Sequence, residues 1–548
     1  MPDWWSRYDP ANGIDGNVHD LWIQDGRIVE CPPLPDQKTF QMIDVSGRIV
    51  MPGGVDMHSH IVGPKVNAGR KMQPELFVAD YLQNPSQVRG NRELPTLEST
   101  ALQYLGMGYT TVFDAAISPL ASRFVHSELE SFPIIDAGFY SLVGNNHYLL
   151  KASANGAIDK AAEFLDWLLN RCRSLAPKIV NPGGVENWKN GQTGTTSDLD
   201  CEVDGFGTSP RKIIETIVAA ANQLSLPHAV HIHCNNLGMP GNWQTTLETM
   251  ELTRGQRAHL THIQFHSYGG TNPSDIRSEV DPLVNFVNAN PQLTVDVGQV
   301  LFGKTTSMTG DGPLGHFLSQ LNGKKWYSSD TEIESGCGVS PIEYRDRNLL
   351  NALQWAIGME WYLKVQNPWQ IAMSTDHPNG ASFVAYPSII AMLMDRERRR
   401  EIWNRLPARL QEISDLVTLD REYSLNDICI ITRAAPAKML GLVNKGHLGV
   451  GAEADVCVYT RQDDVEAMFQ MPCMVIKSGN VVVHDSELVG SSTGRTLALE
   501  ASTNFDPEPI ENWFQDSYSL DVAQFGVIPD SDWFERPVHR VAKILGLS

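Results

Sequence analysis

The chain has 548 residues, too many for one ordinary hydrophobic core, so two or more domains are expected. Its make-up of 42% hydrophobic, 20% charged and 8% aromatic residues is that of a globular protein without low-complexity tracts. A net charge of -21 repels nucleic acid and anionic membrane as general partners, while leaving room for a local pocket that takes an anionic substrate.

Met1 to Pro10 carries neither a cationic start nor an apolar stretch, so it does not read as a signal peptide. No apolar run is long enough to cross a bilayer. The eight cysteines (Cys31, Cys172, Cys201, Cys234, Cys337, Cys429, Cys457, Cys473) include no Cys-x-x-Cys pair. That scatter disfavours iron–sulfur and structural zinc sites and makes no disulfide framework, so a reducing cytoplasm is the expected location.

The first fifty residues read as short strands. Leu21 to Val29 is a hairpin turning at Asp25-Gly26, and a further strand ends at Val50. The same texture returns late, with a strand over Ala454–Tyr459 and a hairpin over Met474–Val483 turning at Gly479-Asn480. Two β-rich ends flanking a long middle predict one small β domain built from both, over 1–52 and 432–496.

The middle, 53–431, alternates strand and helix. Apolar strands are predicted at Ile49–His60, Thr110–Ala115, Ile134–Val143, Pro177–Val180, His228–Cys234, Ala258–Phe265, Leu293–Val297 and Gln370–Asp376, with helices such as Ala157–Cys172 and Pro210–Leu224 between them. Alternating βα units near eight in number predict an α/β fold of the (β/α)8 barrel type, ahead of an open doubly wound sheet. Gln299 to Tyr344, rich in Gly, Ser and Thr, is expected as a long loop over the barrel mouth. The aromatic and proline-bearing end, 497–548, is expected to pack on a neighbour.

The strongest chemical signal is Asp56-Met57-His58-Ser59-His60. Alternate strand residues share a face, so the period predicts Asp56, His58 and His60 inward and Val55, Met57 and Ser59 toward the helices. Two imidazoles two residues apart at a strand end can both reach one cation. A lone His-x-His is more often a hydrogen-bonded structural pair; the later strand ends change that balance. In Ala229 to Asn236, His233 lies nearer the C-terminal end, where barrel sites form, and His231 deeper. In His259 to His266, His262 and His266 share a face that His259 does not, and His262 is the favoured ligand. Asp376, after the apolar strand Ile371 to Thr375, is a helix cap or, beside these histidines, a ligand that also moves protons. Lys178 lies in another short strand, just before a tight turn. A lysine there, near cations, has a depressed pKa, and its neutral amine can take up carbon dioxide as a carbamate whose two oxygens bridge two metals.

His58-Ser59-His60, Lys178, His233, His262 and Asp376 together resemble the binuclear amidohydrolase superfamily, and Thr432–Leu442 with Lys445–Asp455 is similar to that superfamily's return into its small β domain. Longer stretches resemble a narrower group. Lys178-Ile179-Val180-Asn181-Pro182-Gly183-Gly184, His233-Cys234-Asn235-Asn236-Leu237-Gly238, Thr261 to Gly269 and Thr375-Asp376-His377-Pro378-Asn379-Gly380 are similar to the A subunits of formylmethanofuran dehydrogenase and of the formyltransferase/hydrolase complex of methylotrophic bacteria. The aromatic start Met1 to Trp5 tips the reading to the bacterial complex.

The resemblance implies two divalent ions, zinc being the expected metal, a carbamate on Lys178, and a methanofuran-type (methylofuran) one-carbon carrier as substrate or bound group. It implies hydrolysis of the carrier's N-formyl amide to formate and free amine, with Asp376 as the proton-moving catalytic residue. His231, Asn235, Asn236, His266 and His377 are candidates for touching substrate or supporting the ligands. The implied partners are the other components of the complex, a formyltransferase among them. The alternatives are condensation of formate with methanofuran, a cyclic-amide hydrolase of the hydantoinase or dihydropyrimidinase type, and a non-catalytic scaffold.

Overall fold

The computed structural model describes residues 6–32, 40–74, 94–196, 198–328, 337–500, 505–527 and 534–544. Met1 to Trp5 lies outside them. Eight parallel strands form the barrel: β1 (Gly54–Ser59), β2 (Tyr109–Ile117), β3 (Asp136–Leu142), β4 (Ala176–Val180), β5 (Val230–His233), β6 (Ala258–Leu260), β7 (Leu293–Asp296) and β8 (Ile371–Ala372). Each pairs with the next in sequence. The ring closes where Ser59 bridges His377 and the His60 amide donates to the His377 carbonyl at 2.7 Å.

The intervening helices form for local reasons. Ser209 caps Pro210–Gln223 by accepting from the Lys212 amide, and Pro210 is pre-shaped for a first turn. Ile158–Cys172 buries Ala161, Phe164, Leu165, Leu168 and Leu169, a helical stripe against the sheet.

The small domain is one seven-stranded sheet in the spatial order Ile14–Asn17, Ser6–Asp9, Arg48–Pro52, Val456–Thr460, Met474–Lys477, Asn480–His484, Glu487–Leu488. The hairpin Trp22–Gln24 with Arg27–Val29 lies on it, Ile28 packing with Val50, Val456, Val458 and Ile476. Gly26 and Gly479 allow the two hairpin tips to touch: a Cβ on Gly479 would stand 2.9 Å from the Gly26 Cα, and both have φ near 80°.

Four expectations are corrected. In β1 the pairing slips between Asp56 and Ser59, a bulge that changes the inward face. Val55 and Met57 therefore pack inside the barrel with Phe113, Ala115 and Tyr140, while Asp56 points outward and accepts from Tyr104 (2.7 Å) and Tyr386 (2.6 Å). The strand expected over 258–265 ends at Leu260, because His262 adopts a left-handed φ of 34° and starts a tight turn over Ile263–His266. The stretch expected as a loop, 299–344, is a hairpin of Gly303–Thr309 with Gly338–Tyr344, enclosing the helix Gly312–Asn322. Finally, the C-terminal segment packs on its own chain. Thr496–Leu499 pairs with the start of β3 and with Val538–Val541, and Phe514 and Phe525 stack near Trp167 at 5.5 and 5.7 Å.

Candidate active site

The strand ends bring His58, His60, Lys178, His233, His262 and Asp376 together at the floor of one cleft. Every one is at most 4% exposed. Asp376 Oδ1 lies 2.9 Å from His58 Nε2 and 3.2 Å from His60 Nε2. The rings of His58 and His262 are 5.3 Å apart, and those of His233 and His262 are 4.6 Å apart. Backbone shape contributes to this convergence. Asp376 (φ 50°), like His262, leaves the strand path in the left-handed region. Gly298, where a Cβ would meet the His262 Cβ at 2.5 Å, leaves room for that turn.

Buried nitrogen and oxygen atoms almost always have partners, because an unpaired one costs about 1–3 kcal/mol. Here Lys178 Nζ and His262 Nδ1 are buried with no hydrogen bond, and His58 Nε2, His60 Nδ1 and His233 Nε2 face only carboxylate oxygens, at 2.9, 3.7 and 3.6 Å. Two of the atom groups that close to within 4.8 Å are His58, His60 and Asp376, and His233, His262 and His266. Imidazole and carboxylate donors at this density fit divalent ions such as zinc.

The electrostatics agree. Burial would lower the His58 pKa, but Asp296 and Asp376 lift it to about 9, so this corner attracts a cation. Burial holds His233, His262 and His266 below the ordinary histidine value, which leaves them neutral and able to ligate. Burial takes Lys178 down to about 7, against the pull of Asp296 and Asp376.

The remaining candidates divide. His231 lies beneath the floor, its Nε2 3.0 Å from His58 Nδ1. His266 is fully buried with both ring nitrogens free of hydrogen bonds. His377 accepts from the Phe383 amide at 3.3 Å, and burial lowers its pKa to about 3. Asn235 donates to Asn181 and Pro182, and Asn236 clamps the Thr196 backbone at both ends of its amide. The two asparagines thus hold loops in place.

Several neighbours escaped the sequence reading. Asp296 accepts from the His262 amide (3.1 Å), and its Oδ2 stands 3.2 Å from His58 Nδ1 and 3.0 Å from His259 Nε2. Asp114 faces His60 Nδ1 at 3.7 Å, and Asp311 faces His233 Nε2 at 3.6 Å. Asp296 ends its apolar strand as a carboxylate, the same signal that singled out Asp376. Asp311 gave none, since only the folded hairpin carries it to the site.

Above the floor the cleft encloses about 1060 Å³, open mouth included. Leu237, Phe265, Met308, Leu314, Phe317 and Tyr344 give it apolar walls, several of them from the hairpin and its helix.

The amidohydrolase family pattern matches residues 41–483. The chain is 41% identical to Protein FwdA of Methanocaldococcus jannaschii over 545 residues, covering 95% of each. It is 38% identical over 539 residues to the A subunit of the formyltransferase/hydrolase complex Fhc of Methylorubrum extorquens, again 95% of each. Its structure superposes with a TM-score of 0.91 on a chain of the crystal structure of the formyltransferase/hydrolase complex FhcABCD from that bacterium in complex with methylofuran, at 35% identity and 98% coverage of both. A D-hydantoinase at 15% identity and a TM-score of 0.50 shares the fold. With the barrel, the metal-competent floor and these relatives in agreement, the chain belongs to the amidohydrolase family.

Proposed function

We propose that this chain is the hydrolytic component of a formyltransferase/hydrolase assembly and cleaves the N-formyl amide of a methanofuran-type carrier to formate and free amine. The observation that carries the reading is the convergence of His58, His60, Lys178, His233, His262 and Asp376, buried and turned toward one another, beneath an apolar cleft. Support for the substrate comes from the relatives: the 38% identity to the Fhc protein of Methylorubrum extorquens, and the likeness to a complex that holds methylofuran. Partner proteins including a formyltransferase follow from the same likeness. In this reading 53–431 carry the chemistry, 1–52 with 432–496 form the small β domain, and the described residues of 497–548 pack on the barrel from outside.

His58, His60 and Asp376 would hold one divalent ion and His233 and His262 a second, and Lys178, as a carbamate, would be a further ligand. Such ions, zinc being the expected pair, supply Lewis-acid polarisation of an amide oxygen and a water acidic enough to attack near neutral pH. Lys178 becomes a carbamate when its neutral Nζ adds to carbon dioxide and releases a proton. Asp376 takes a proton from the attacking water and returns it to the amide nitrogen, so the carrier leaves as an amine rather than an amide anion. The apolar walls receive the carrier's ring end and keep bulk water from the floor.

The test is Asp376→Ala, assayed for formate release from an N-formyl furfurylamine carrier. Loss of the proton carrier should cut turnover by about 10²–10⁴-fold even in excess metal that keeps the variant fully loaded. Near-normal formate release by that variant would remove Asp376 from the mechanism. The 41% identity to FwdA favours one second reading, condensation of formate with the carrier amine. The same residues serve that direction, and supplying formate plus free amine to the enzyme distinguishes it.

A further inference from the structure

Beneath the six-residue floor, the barrel holds polar groups where branched apolar side chains normally sit. His228, His231, His259 and Asp296 are each at most 1% exposed. Their hydrogen bonds have a direction that chemistry fixes. His228 Nδ1 lies 2.8 Å from the Met439 carbonyl oxygen, which can only accept, so Nδ1 carries the hydrogen. A neutral His228 then has a bare Nε2, 3.0 Å from His231 Nδ1, and His231 must donate to it. That leaves His231 Nε2 bare, 3.0 Å from His58 Nδ1. Asp296 Oδ2, also an acceptor, stands 3.2 Å from the same His58 nitrogen. Two acceptors therefore converge on His58 Nδ1, where the Thr261 hydroxyl, able to accept as well as donate, turns its oxygen to the same hydrogen. The hydrogen of a neutral ring belongs there, which leaves Nε2, the atom 2.9 Å from Asp376, to take a metal ion in place of a second proton.

We propose that His228, His231 and Asp296 are positioning residues that lock His58 in the tautomer with its hydrogen on Nδ1, so that Nε2 is presented to a metal ion. The inference rests on the reading that His58 holds an ion. Asp296 does more than orient one ring, because its other oxygen accepts from the His262 amide and so ties both ligand groups to one carboxylate. The relay ends in the segment that leads out of the barrel, as Met439 closes the helix Ala435–Met439.

The experiment uses the full chain, stripped and reloaded with zinc or cobalt(II). Chelator competition gives the affinity of each ion, and cobalt d–d absorption reports its coordination. Asp296→Asn keeps an oxygen for the His262 amide but places an NH2 where His58 needs an acceptor. One ion should bind about 10- to 100-fold more weakly, with an altered cobalt spectrum, while the other is unchanged. His231→Phe keeps a ring in the stack between Tyr140 (4.7 Å) and His259 (4.6 Å) and deletes both nitrogens. It should shift the same ion, less strongly because Asp296 still accepts, and the double variant should exceed either. Should Asp296→Asn not fold, His231→Phe alone decides. Wild-type affinity and spectrum in the folded variants would overturn the relay. A wild-type chain that takes up no ion would instead remove the metal reading beneath it, and the relay with it.

Discussion

Lys178 shows how one residue's surroundings set its chemistry. Its side chain is buried at 2% exposure and its Nζ has no hydrogen bond. An ordinary lysine stays charged to well above neutral pH. Burial brings this one to about 7, so its reactive neutral form grows as pH rises through that value and vanishes below it. Carbamate formation needs the neutral amine and carbon dioxide together. Reloading of the stripped protein with metal should therefore be slow below about pH 6 or in carbon dioxide-free buffer, and faster with bicarbonate above about pH 7.5. Metal analysis with intact mass, read for one added carboxylate group, checks this. Equally complete loading without carbon dioxide would exclude the carbamate.

At the scale of elements, two departures from regular geometry build the floor. The β1 bulge turns His58 and His60 toward the site while Asp56 goes outward to Tyr104 and Tyr386. The break after β6 swings His262 over Gly298. The hairpin and helix over the mouth depend on one close approach: a Cβ on Gly315 would stand 2.4 Å from the Gly338 Cα. Backbone cannot yield there as a side-chain tip would. Gly315→Ala should push the helix off the hairpin, displacing Leu314, Phe317 and Leu318 from the cleft wall. The expected result is a KM raised by about tenfold or more, the effect of losing ~1.4 kcal/mol of binding, with metal content unchanged. An unaltered KM would separate this helix from substrate binding.

Across the whole molecule, the small domain meets the barrel through a buried charge cluster. Lys445 Nζ contacts Asp136 (2.7 Å), Glu453 (2.7 Å) and Asp455 (2.9 Å), and Lys477 Nζ contacts Asp136 (3.0 Å) and Asp455 (3.1 Å). Arg495 bonds Asp136 and Glu453 as well. Three cations answer three carboxylates, so this group is a structural joint rather than a metal site. Lys477→Met would leave buried carboxylates short of a partner, with an expected loss of about 3–5 kcal/mol of stability. Denaturant melts should show it, with both metal affinities as in the wild type. Burial would raise the Asp455 pKa, but Lys445 and Lys477 bring it down to about 2. A depressed carboxylate contributes its stability above the unfolded value, about 3.9, and loses it as pH falls through the folded one. The joint should therefore hold at pH 4 and fail only toward pH 2, which acid unfolding followed by circular dichroism can check.

The sequence by itself determined the barrel and the polar residues that gather at its mouth. Strand-length apolar runs ending in His or Asp repeat along the chain, and that period survives in any fold that buries them. His58, His60, His233, His262 and Asp376 were legible because each sits at such an end, and Lys178 because a cation is out of place in a short apolar strand. Tertiary structure alone decided the inward face of β1 and the turn at His262, since a bulge and a left-handed residue break the two-residue alternation that a reader must assume. It alone brought in His228 and Asp311, whose partners lie in another segment or on another strand, and it alone joined Asp296, a carboxylate at a strand end, to His58. The surface that receives the C-terminal segment was decided by the fold for the same reason. Its aromatic residues show that it packs on something, while only the folded chain shows that the surface is its own barrel.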